Sequence, residues 1–190
     1  MNAFEYLNVL ISIILGLAIA KILTGLATVI TARERVDFYW PPVVWAIWIF
    51  FVSAQHWWAA WGLQFTKEWT FLDFSLLLLV PVDLFLLSAL VLPEREEDGK
   101  LDLGEWFARN RVWFFGIMFF LPGLSIVEEL VRSGHMSSLL NFAFLLAFEA
   151  VIVVAFFLKS RKAQEWLCVQ AAVMTLLYIV LLFVNLDTTR

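Results

Sequence analysis

Six long apolar runs constrain the fold of this chain more than any other feature. A helix that crosses the hydrocarbon core of a membrane needs roughly 20 residues. The runs cover residues 4–30, 40–65, 71–92, 112–131, 138–158 and 166–186. Because a backbone in lipid has to satisfy its own hydrogen bonds, each run is predicted to form a helix. The predicted fold is therefore all-α, a single transmembrane domain over residues 1–190 built as a bundle of six membrane-spanning helices.

The composition supports this class and excludes others. Hydrophobic residues make up 63% of the chain and charged residues 16%, whereas soluble domains are about 45–50% apolar and about 25% charged. The chain is also too apolar to be disordered. A net charge of −4 gives no reason to expect nucleic-acid binding. The one cysteine, Cys168, excludes an internal disulfide, and no motif for a cofactor or a metal is present.

The basic residues predict how the bundle is oriented. Nine Lys and Arg residues lie in the connections after the first, third and fifth helices, and three lie on the other side. Cytoplasmic loops carry the excess of Lys and Arg, so both termini are predicted to be extracytoplasmic. The first apolar run has no positive segment before it and is too long for a cleaved signal peptide, which favours a retained helix.

The connection after the third helix, residues 93–111, begins with an acidic stretch. Its acidic residues are Glu94, Glu96, Glu97 and Asp98. Asp102, with Glu105 three residues later, resembles a capping box and predicts a short interfacial helix within residues 101–109. Two interpretations of the acidic stretch stay open: a solvated loop, or a docking site for a basic cytoplasmic protein partner across Glu94–Arg111.

Small or weakly polar residues recur at every fourth position of the first helix. They are Asn8, Ser12, Gly16, Ala20, Thr24 and Thr28. This spacing keeps them near one helix face, and small residues let two helices approach closely in lipid. The face is predicted to pack against another helix, which belongs either to the same chain or to a second copy in a homo-oligomer.

Six of the ten tryptophans lie in the second apolar run. They are Trp40, Trp45, Trp48, Trp57, Trp58 and Trp61. Tryptophans near helix ends anchor a protein at the lipid–water interface. The alternative is a site for a small molecule, lined by Gln55, Trp57 and Trp58, with His56 beside them.

Prolines interrupt two of the predicted helices. Pro81 lies in the third, and Pro122 with Gly123 lies in the fourth. Such breaks free backbone groups and mark hinges or sites in transporters, but they also occur as plain kinks. Both interpretations stay open.

Four ionisable residues fall near the middle of four different predicted helices. Lys21, His56, Asp83 and Glu149 lie within about 5 Å of the helix midpoints, at a rise of about 1.5 Å per residue. Charges at this depth are costly and normally face the bundle interior and pair. The simplest arrangement pairs Lys21 with Asp83 or Glu149. The set predicts either an ion or proton pathway or a structural network that fixes helix register.

Glu128 and Glu129 are followed by Arg132, so local ion pairs along one helix explain them. The group resembles the Glu-Glu-x-x-x-Arg signature of CAAX-type intramembrane proteases. The spacing here is one residue short, and the Phe-x-x-x-His element of that family is missing. His135 lies at a different depth from His56, which argues against a bis-histidine haem site. The chain is therefore not predicted to be an enzyme.

The opening residues Phe4–Leu17 and the Trp-rich second run resemble small bacterial inner-membrane proteins of uncharacterised activity. The resemblance implies a multi-pass protein of a bacterial plasma membrane. The leading functional hypothesis is a small proton- or cation-linked transporter, or an oligomeric channel, that uses the carboxylates of Asp83 and Glu149. The alternatives are an accessory subunit that binds a partner through its cytoplasmic loop, and a membrane protein with an aromatic site for a small molecule or lipid.

Overall fold

The computed structural model describes residues 3–65, 69–94, 100–133 and 139–179, and most of them are helical. The helices are α1 (Ala3–Thr31), α2 (Trp40–Ala60), α3 (Phe71–Val91), α4 (Leu103–Met118), α5 (Phe120–Ser133), α6 (Leu139–Phe157) and α7 (Arg161–Tyr178). A short 3-10 helix, Trp61–Phe65, continues α2. Two short segments, β1 (Val36–Asp37) and β2 (Leu101–Asp102), form a parallel bridge. The all-α prediction is confirmed.

Five segments of the described residues are long and apolar enough to cross a membrane. They are Phe4–Thr31, Trp40–Gln64, Phe71–Val91, Leu103–Val131 and Leu139–Phe157. Of the sixth predicted crossing, residues 166–186, the structure describes the part that lies in α7, and residues 180–190 lie outside the described range. Six crossings, and the side of the membrane that holds the termini, stay predictions.

The fourth crossing begins earlier than the sequence predicts. The separate interfacial helix expected within residues 101–109 is instead the first part of α4. Asp102 accepts a hydrogen bond from the backbone N–H of Glu105 (2.8 Å), so the predicted capping residue starts this longer helix. Phe107 is buried because α4 packs on α3, where the Trp106 indole donates to the carbonyl of Leu90 (3.0 Å).

The connections α1–α2, α3–α4 and α6–α7 meet at one end of the bundle, which we call the basic end. The β1–β2 bridge joins the first two connections. The hydroxyl of Tyr39 donates to the carbonyl of Arg161 (3.2 Å) and joins the third. Burial raises the pKa of Tyr39 to about 12, so this phenol stays protonated. These are the connections that the sequence predicts to share one side of the membrane.

A buried arginine ties α4 to the end of α6. Arg111 Nη1 donates to the carbonyls of Ala155 (2.8 Å), Phe156 (2.5 Å) and Leu158 (3.1 Å). Gln164 of α7 donates to the carbonyls of Ala155 and Leu158 as well. The last carbonyls of a helix have no partner within it, so these side chains satisfy groups that would otherwise be buried and unpaired.

Candidate functional site

A cavity of about 400 Å³ lies in the half of the bundle away from the basic end, between α2, α3, α5, α6 and α7. Small-molecule sites span roughly 300–1,000 Å³. The apolar lining residues are Trp48, Val52, Ala59, Ala60, Leu63, Leu77, Val80, Leu121, Pro122, Phe144, Leu145, Phe148 and Met174. The polar ones are Gln55, His56, Ser125, Glu128, Glu129, Thr175 and Tyr178. An apolar wall with a few polar groups is typical of a ligand site.

The cavity lies beside the segment that follows the junction of α4 and α5. The helix is interrupted at Phe119, three residues before Pro122. Proline has no N–H to donate, so Pro122 cannot make the helical bond to the carbonyl of Met118. Beyond the interruption, α5 packs mainly on α3 and α6, whereas α2 packs mainly on α1, α3 and α7. The cavity occupies the space left between α2 and α5.

One face of α5 supplies three of the seven polar residues in the lining. Leu121, Pro122, Ser125, Glu128 and Glu129 all border the cavity. Their spacing of three and four residues places them on one side of an α-helix. The face is apolar near the interruption and acidic toward the end of the helix, so the cavity is graded from apolar to acidic along α5.

The opposite wall is aromatic and held in place by hydrogen bonds. The rings of Trp48 and Phe148 stack with their centroids 5.4 Å apart and their planes 17° from parallel. The indole N–H of Trp48 donates to the hydroxyl of Thr175 (2.9 Å). Phe144 and Tyr178 meet edge to face at 5.8 Å. These contacts join α2, α6 and α7, so the wall is formed by three helices that constrain each other.

A chain of hydrogen bonds orients one of the two glutamates. The Tyr178 hydroxyl donates to Asn141 Oδ1 (3.1 Å), and Asn141 Nδ2 donates to Glu129 Oε2 (3.2 Å). The chain runs from α7 through α6 to α5. Because Asn141 is fixed from both sides, it sets where the carboxylate of Glu129 lies.

The structure places the residues predicted for a ligand site on two different faces of α2. Gln55 and His56 line the cavity, but Trp57 and Trp58 do not. Trp57 donates to the hydroxyl of Ser12 on α1 (3.1 Å), and the side chain of Trp58 is 71% exposed. Successive residues on a helix are about 100° apart, so the two tryptophans turn away from the side that His56 faces. The aromatic lining of α2 comes instead from Trp48, two turns earlier.

Asp83 and Glu149 are absent from the cavity lining. Asp83 is buried in α3 at 8% exposure, and its Oδ2 has no hydrogen-bond partner among the described residues. Glu149 is half-buried in α6, and its Oε2 is likewise unpartnered within that part of the chain. Of the four residues predicted for an ion or proton pathway, only His56 lines the cavity, and the pathway itself stays a prediction.

The ion pair expected for Lys21 is not the one observed. Its ammonium group bonds to the carboxylate of Glu94, just beyond α3, rather than to Asp83 or Glu149. It also lies 5.9 Å from the centre of the Phe85 ring. A lysine stem is long enough to carry its charge from the lipid toward a helix end. Lys21 thus reaches the basic end of the bundle instead of charging its centre.

The small-residue face of α1 is not the face that packs inside the chain. Gly16, Ala20 and Thr24 are exposed, and a side chain added at Gly16 would meet no atom within 4 Å. Large residues fill the interior instead: Leu7, Ile11, Leu15 and Ile22 are all buried. The prediction of a partner helix within the same chain is therefore wrong for Gly16, Ala20 and Thr24. Ser12, in contrast, accepts a hydrogen bond from Trp57 of α2. A contact between two copies of the chain through this face stays a prediction.

The two predicted breaks differ in the structure. Pro81 is buried, and α3 continues through it. Before Pro122, the regular helix is interrupted at Phe119 alone, which keeps right-handed helical dihedral angles (φ −57°, ψ −28°), and Gly123 is exposed. The hinge interpretation stays a prediction at both prolines, since α3 continues through Pro81 and only Phe119 interrupts the regular helix before Pro122.

Several predictions fall outside the described residues. They concern the Arg132 side chain, His135, and residues 95–99 of the acidic stretch. The docking site across Glu94–Arg111 and the ion pairs of Arg132 therefore stay predictions.

No sequence motif predicts a site role for Glu128, Glu129, Asn141 or Tyr178. One sequence feature points to the two glutamates: by their position along the predicted helices, Glu128 and Glu129 lie toward the same end of the bundle as Gln55 and His56. Depth alone does not tell which helices are neighbours, so the sequence does not predict that this face of α5 borders the same cavity as Gln55 and His56.

Comparison with known proteins gives no relative: no family model, no curated protein and no solved structure matches this chain.

Proposed function

We propose that this protein is a multi-pass membrane protein that binds a small molecule with an apolar body in the cavity between α2 and α5. The observation that carries the proposal is the cavity itself, about 400 Å³ in volume, with an aromatic wall and a few polar groups supplied by α2, α5 and α7. Concave apolar sites with a few placed polar groups are where proteins bind small ligands. Of the three sequence hypotheses, a site for a small molecule is the one that this cavity supports best, although Trp48 lines it in place of Trp57 and Trp58.

Three molecules that share one tail test the proposal: 1-octanol, octyltrimethylammonium and octanoate. Saturable binding to the purified protein in nanodiscs is measured by thermal shift and native mass spectrometry. We expect at least one of them to bind the wild type, and Ala59→Phe to abolish that binding, because Ala59 lines the cavity. Ala54→Phe is the matched control, since Ala54 lies on the same helix, is exposed and does not line the cavity. Equal binding to both variants, or no binding at all, contradicts the proposal.

A proton- or cation-linked transporter is the second candidate, and buried carboxyl oxygens favour it. Asp83 Oδ2 and Glu149 Oε2 have no hydrogen-bond partner among the described residues. Ionisable groups at membrane depth mark ion and proton pathways. Proton and cation flux in liposomes is expected to fall in Asp83→Asn and Glu149→Gln while folding is kept. If the two variants lose only thermal stability, these carboxyls are structural.

A further inference from the structure

We propose that the ligand of this cavity is an uncharged molecule of the primary amide type, with a group that both donates and accepts hydrogen bonds on an apolar body, and that Gln55 recognises this group. The inference rests on the proposed function and names the chemical class that the site selects. Three observations carry it: the place of Gln55 in the lining, the state of its amide, and the engagement of the other polar side chains.

Gln55 lies in the middle of the face that α2 presents to the cavity. Val52, three residues before it, and Ala59, four residues after it, border the same cavity. Residues three and four apart lie on one side of an α-helix. Trp48 extends this face by one further turn toward the basic end. The wall that α2 contributes therefore carries a polar amide between apolar side chains.

The amide of Gln55 is not used inside the protein. In the part of the chain that the structure describes, no hydrogen bond or ion pair engages this side chain. A carboxamide offers two N–H donors and one carbonyl acceptor. A ligand that fills the cavity displaces water from this amide, and it loses affinity if it does not replace the hydrogen bonds that the water made. A ligand group with both an acceptor and a donor replaces them on both sides of the amide.

The hydroxyl groups of the lining, in contrast, already donate to groups of the protein. The three bonds run from Thr175 to the carbonyl of Ala171 (2.9 Å), from Ser125 to the carbonyl of Leu121 (3.1 Å), and from Tyr178 to Asn141 Oδ1 (3.1 Å). Thr175 also accepts from the indole of Trp48 (2.9 Å). The side chain that remains to present both a donor and an acceptor to a ligand is therefore that of Gln55.

The ionisable residues of the lining are engaged as well. His56, Glu128 and Glu129 all have partners within the protein, so the lining does not call for a ligand of opposite charge. Most of the lining is apolar, and moving a charged head group out of water into such surroundings is costly unless it is paired. An uncharged head group on an apolar body follows from these two facts.

Octanamide and methyl octanoate test the assignment, because both are uncharged and have the same acyl chain, but only the amide can donate a hydrogen bond. Binding to the wild type in nanodiscs is measured by thermal shift and native mass spectrometry, with each dissociation constant referred to the concentration of the probe in the bilayer. We expect octanamide to bind at least about fivefold more tightly than methyl octanoate, since one added hydrogen bond contributes on that order.

Replacing the amide of Gln55 should remove this preference. In Gln55→Met and in Gln55→Leu, the ratio of the two dissociation constants is expected to fall to about twofold or less, because the acceptor for the amide N–H is lost. Gln170→Met is the matched control, since Gln170 lies on α7, is exposed and does not line the cavity. This variant should keep the full preference for octanamide.

Each outcome has one meaning. If methyl octanoate, octyltrimethylammonium or octanoate binds the wild type as tightly as octanamide, and Ala59→Phe still abolishes binding, the amide assignment is overturned while the ligand site stands. A preference that survives in both Gln55 variants overturns the role of Gln55. If no probe binds, the proposed function fails too. The ranking in the wild type needs no variant, so a Gln55 variant that fails to fold does not leave the question open.

Discussion

Arg111 brings a charged group into the interior of the bundle, and the structure satisfies it with backbone rather than with an acid. Its guanidinium donates to three carbonyls at the end of α6, and the residue is only 6% exposed. A cation at a helix C-terminus also interacts favourably with the helix dipole. Sequence inspection placed Arg111 in a cytoplasmic loop because charge alone suggests exposure.

Replacing Arg111 should destabilise the protein. In Arg111→Met, the carbonyls of Ala155 and Phe156 lose a charged donor while the apolar stem is largely kept. We expect the free energy of unfolding to fall by about 2 kcal/mol or more, measured by thermal or denaturant unfolding in detergent micelles. Arg109→Met, two residues away and exposed, loses the contact of its guanidinium with the Trp106 ring (5.1 Å), so its loss in unfolding free energy is expected to be about 1 kcal/mol or less. Similar losses for both variants would contradict the capping role.

The hydroxyl of Tyr178 should stabilise the cavity wall through Asn141. Tyr178→Phe keeps the edge-to-face contact with Phe144 and removes the bond to Asn141 Oδ1. We expect a loss of about 1 kcal/mol in unfolding free energy and weaker binding of the octyl probes, because Tyr178 lines the cavity and its bond to Asn141 is lost. Unchanged binding with reduced stability would show that this hydrogen bond supports the fold alone.

At the scale of helices, α1 approaches the end of α3 closely at Gly25. A Cβ placed on Gly25 would lie 2.7 Å from the Cβ of Leu92, an atom fixed to the backbone. The small residues that matter for packing inside this chain therefore include Gly25, which lies beside the recurring small-residue face and not on it.

Two glycine substitutions test these two faces of α1 independently. Gly25→Val should force α1 and the end of α3 apart and lower the unfolding free energy by about 1–3 kcal/mol. Gly16→Val should be close to neutral for the monomer, because nothing lies within 4 Å of the added Cβ. Unfolding in detergent gives both values. If Gly16→Val is the more damaging variant, or changes the particle size in size-exclusion chromatography, the exposed face is a contact between copies.

The break between α4 and α5 should control the cavity. Pro122→Ala restores the N–H that can bond to the carbonyl of Met118, so α4 and α5 can join into one helix and α5 can move toward α2. We expect binding of the octyl probes to weaken while thermal stability holds or rises. Pro81→Ala is the control, since Pro81 lies within a continuous α3 and does not line the cavity. Unchanged binding in Pro122→Ala would separate the cavity from the break.

At the scale of the whole molecule, three connections meet at the basic end, and labelling of intact cells can test on which side of the membrane this end lies. The β1–β2 bridge and the Tyr39–Arg161 bond bring α1–α2, α3–α4 and α6–α7 together. In a Cys168→Ala background, a single cysteine at Asn2 and another at Lys162 report opposite ends. The positive-inside rule predicts that an impermeant maleimide labels the first in intact cells and the second only after permeabilisation. The reverse pattern would invert the orientation.

The sequence was sufficient to predict an all-α chain with helices long enough to cross a membrane. The reason is local: apolar length and the need to satisfy backbone hydrogen bonds in lipid both act within one segment. The helix start capped by Asp102 was predictable for the same reason, whereas the length of α4 was not. Interactions between residues that are close together in the sequence can be predicted from the sequence.

Only the tertiary structure decided the site. Whether Trp48 or Trp57 borders the cavity depends on how α2 is rotated against its neighbours, which apolar periodicity does not determine when most faces of a helix are apolar. The partner of Lys21 depended on where the end of α3 lies beside α1, and the place of Glu129 depended on Asn141 and Tyr178 from two other helices. Such contacts join residues far apart in the chain, so their energies appear only once the helices have packed.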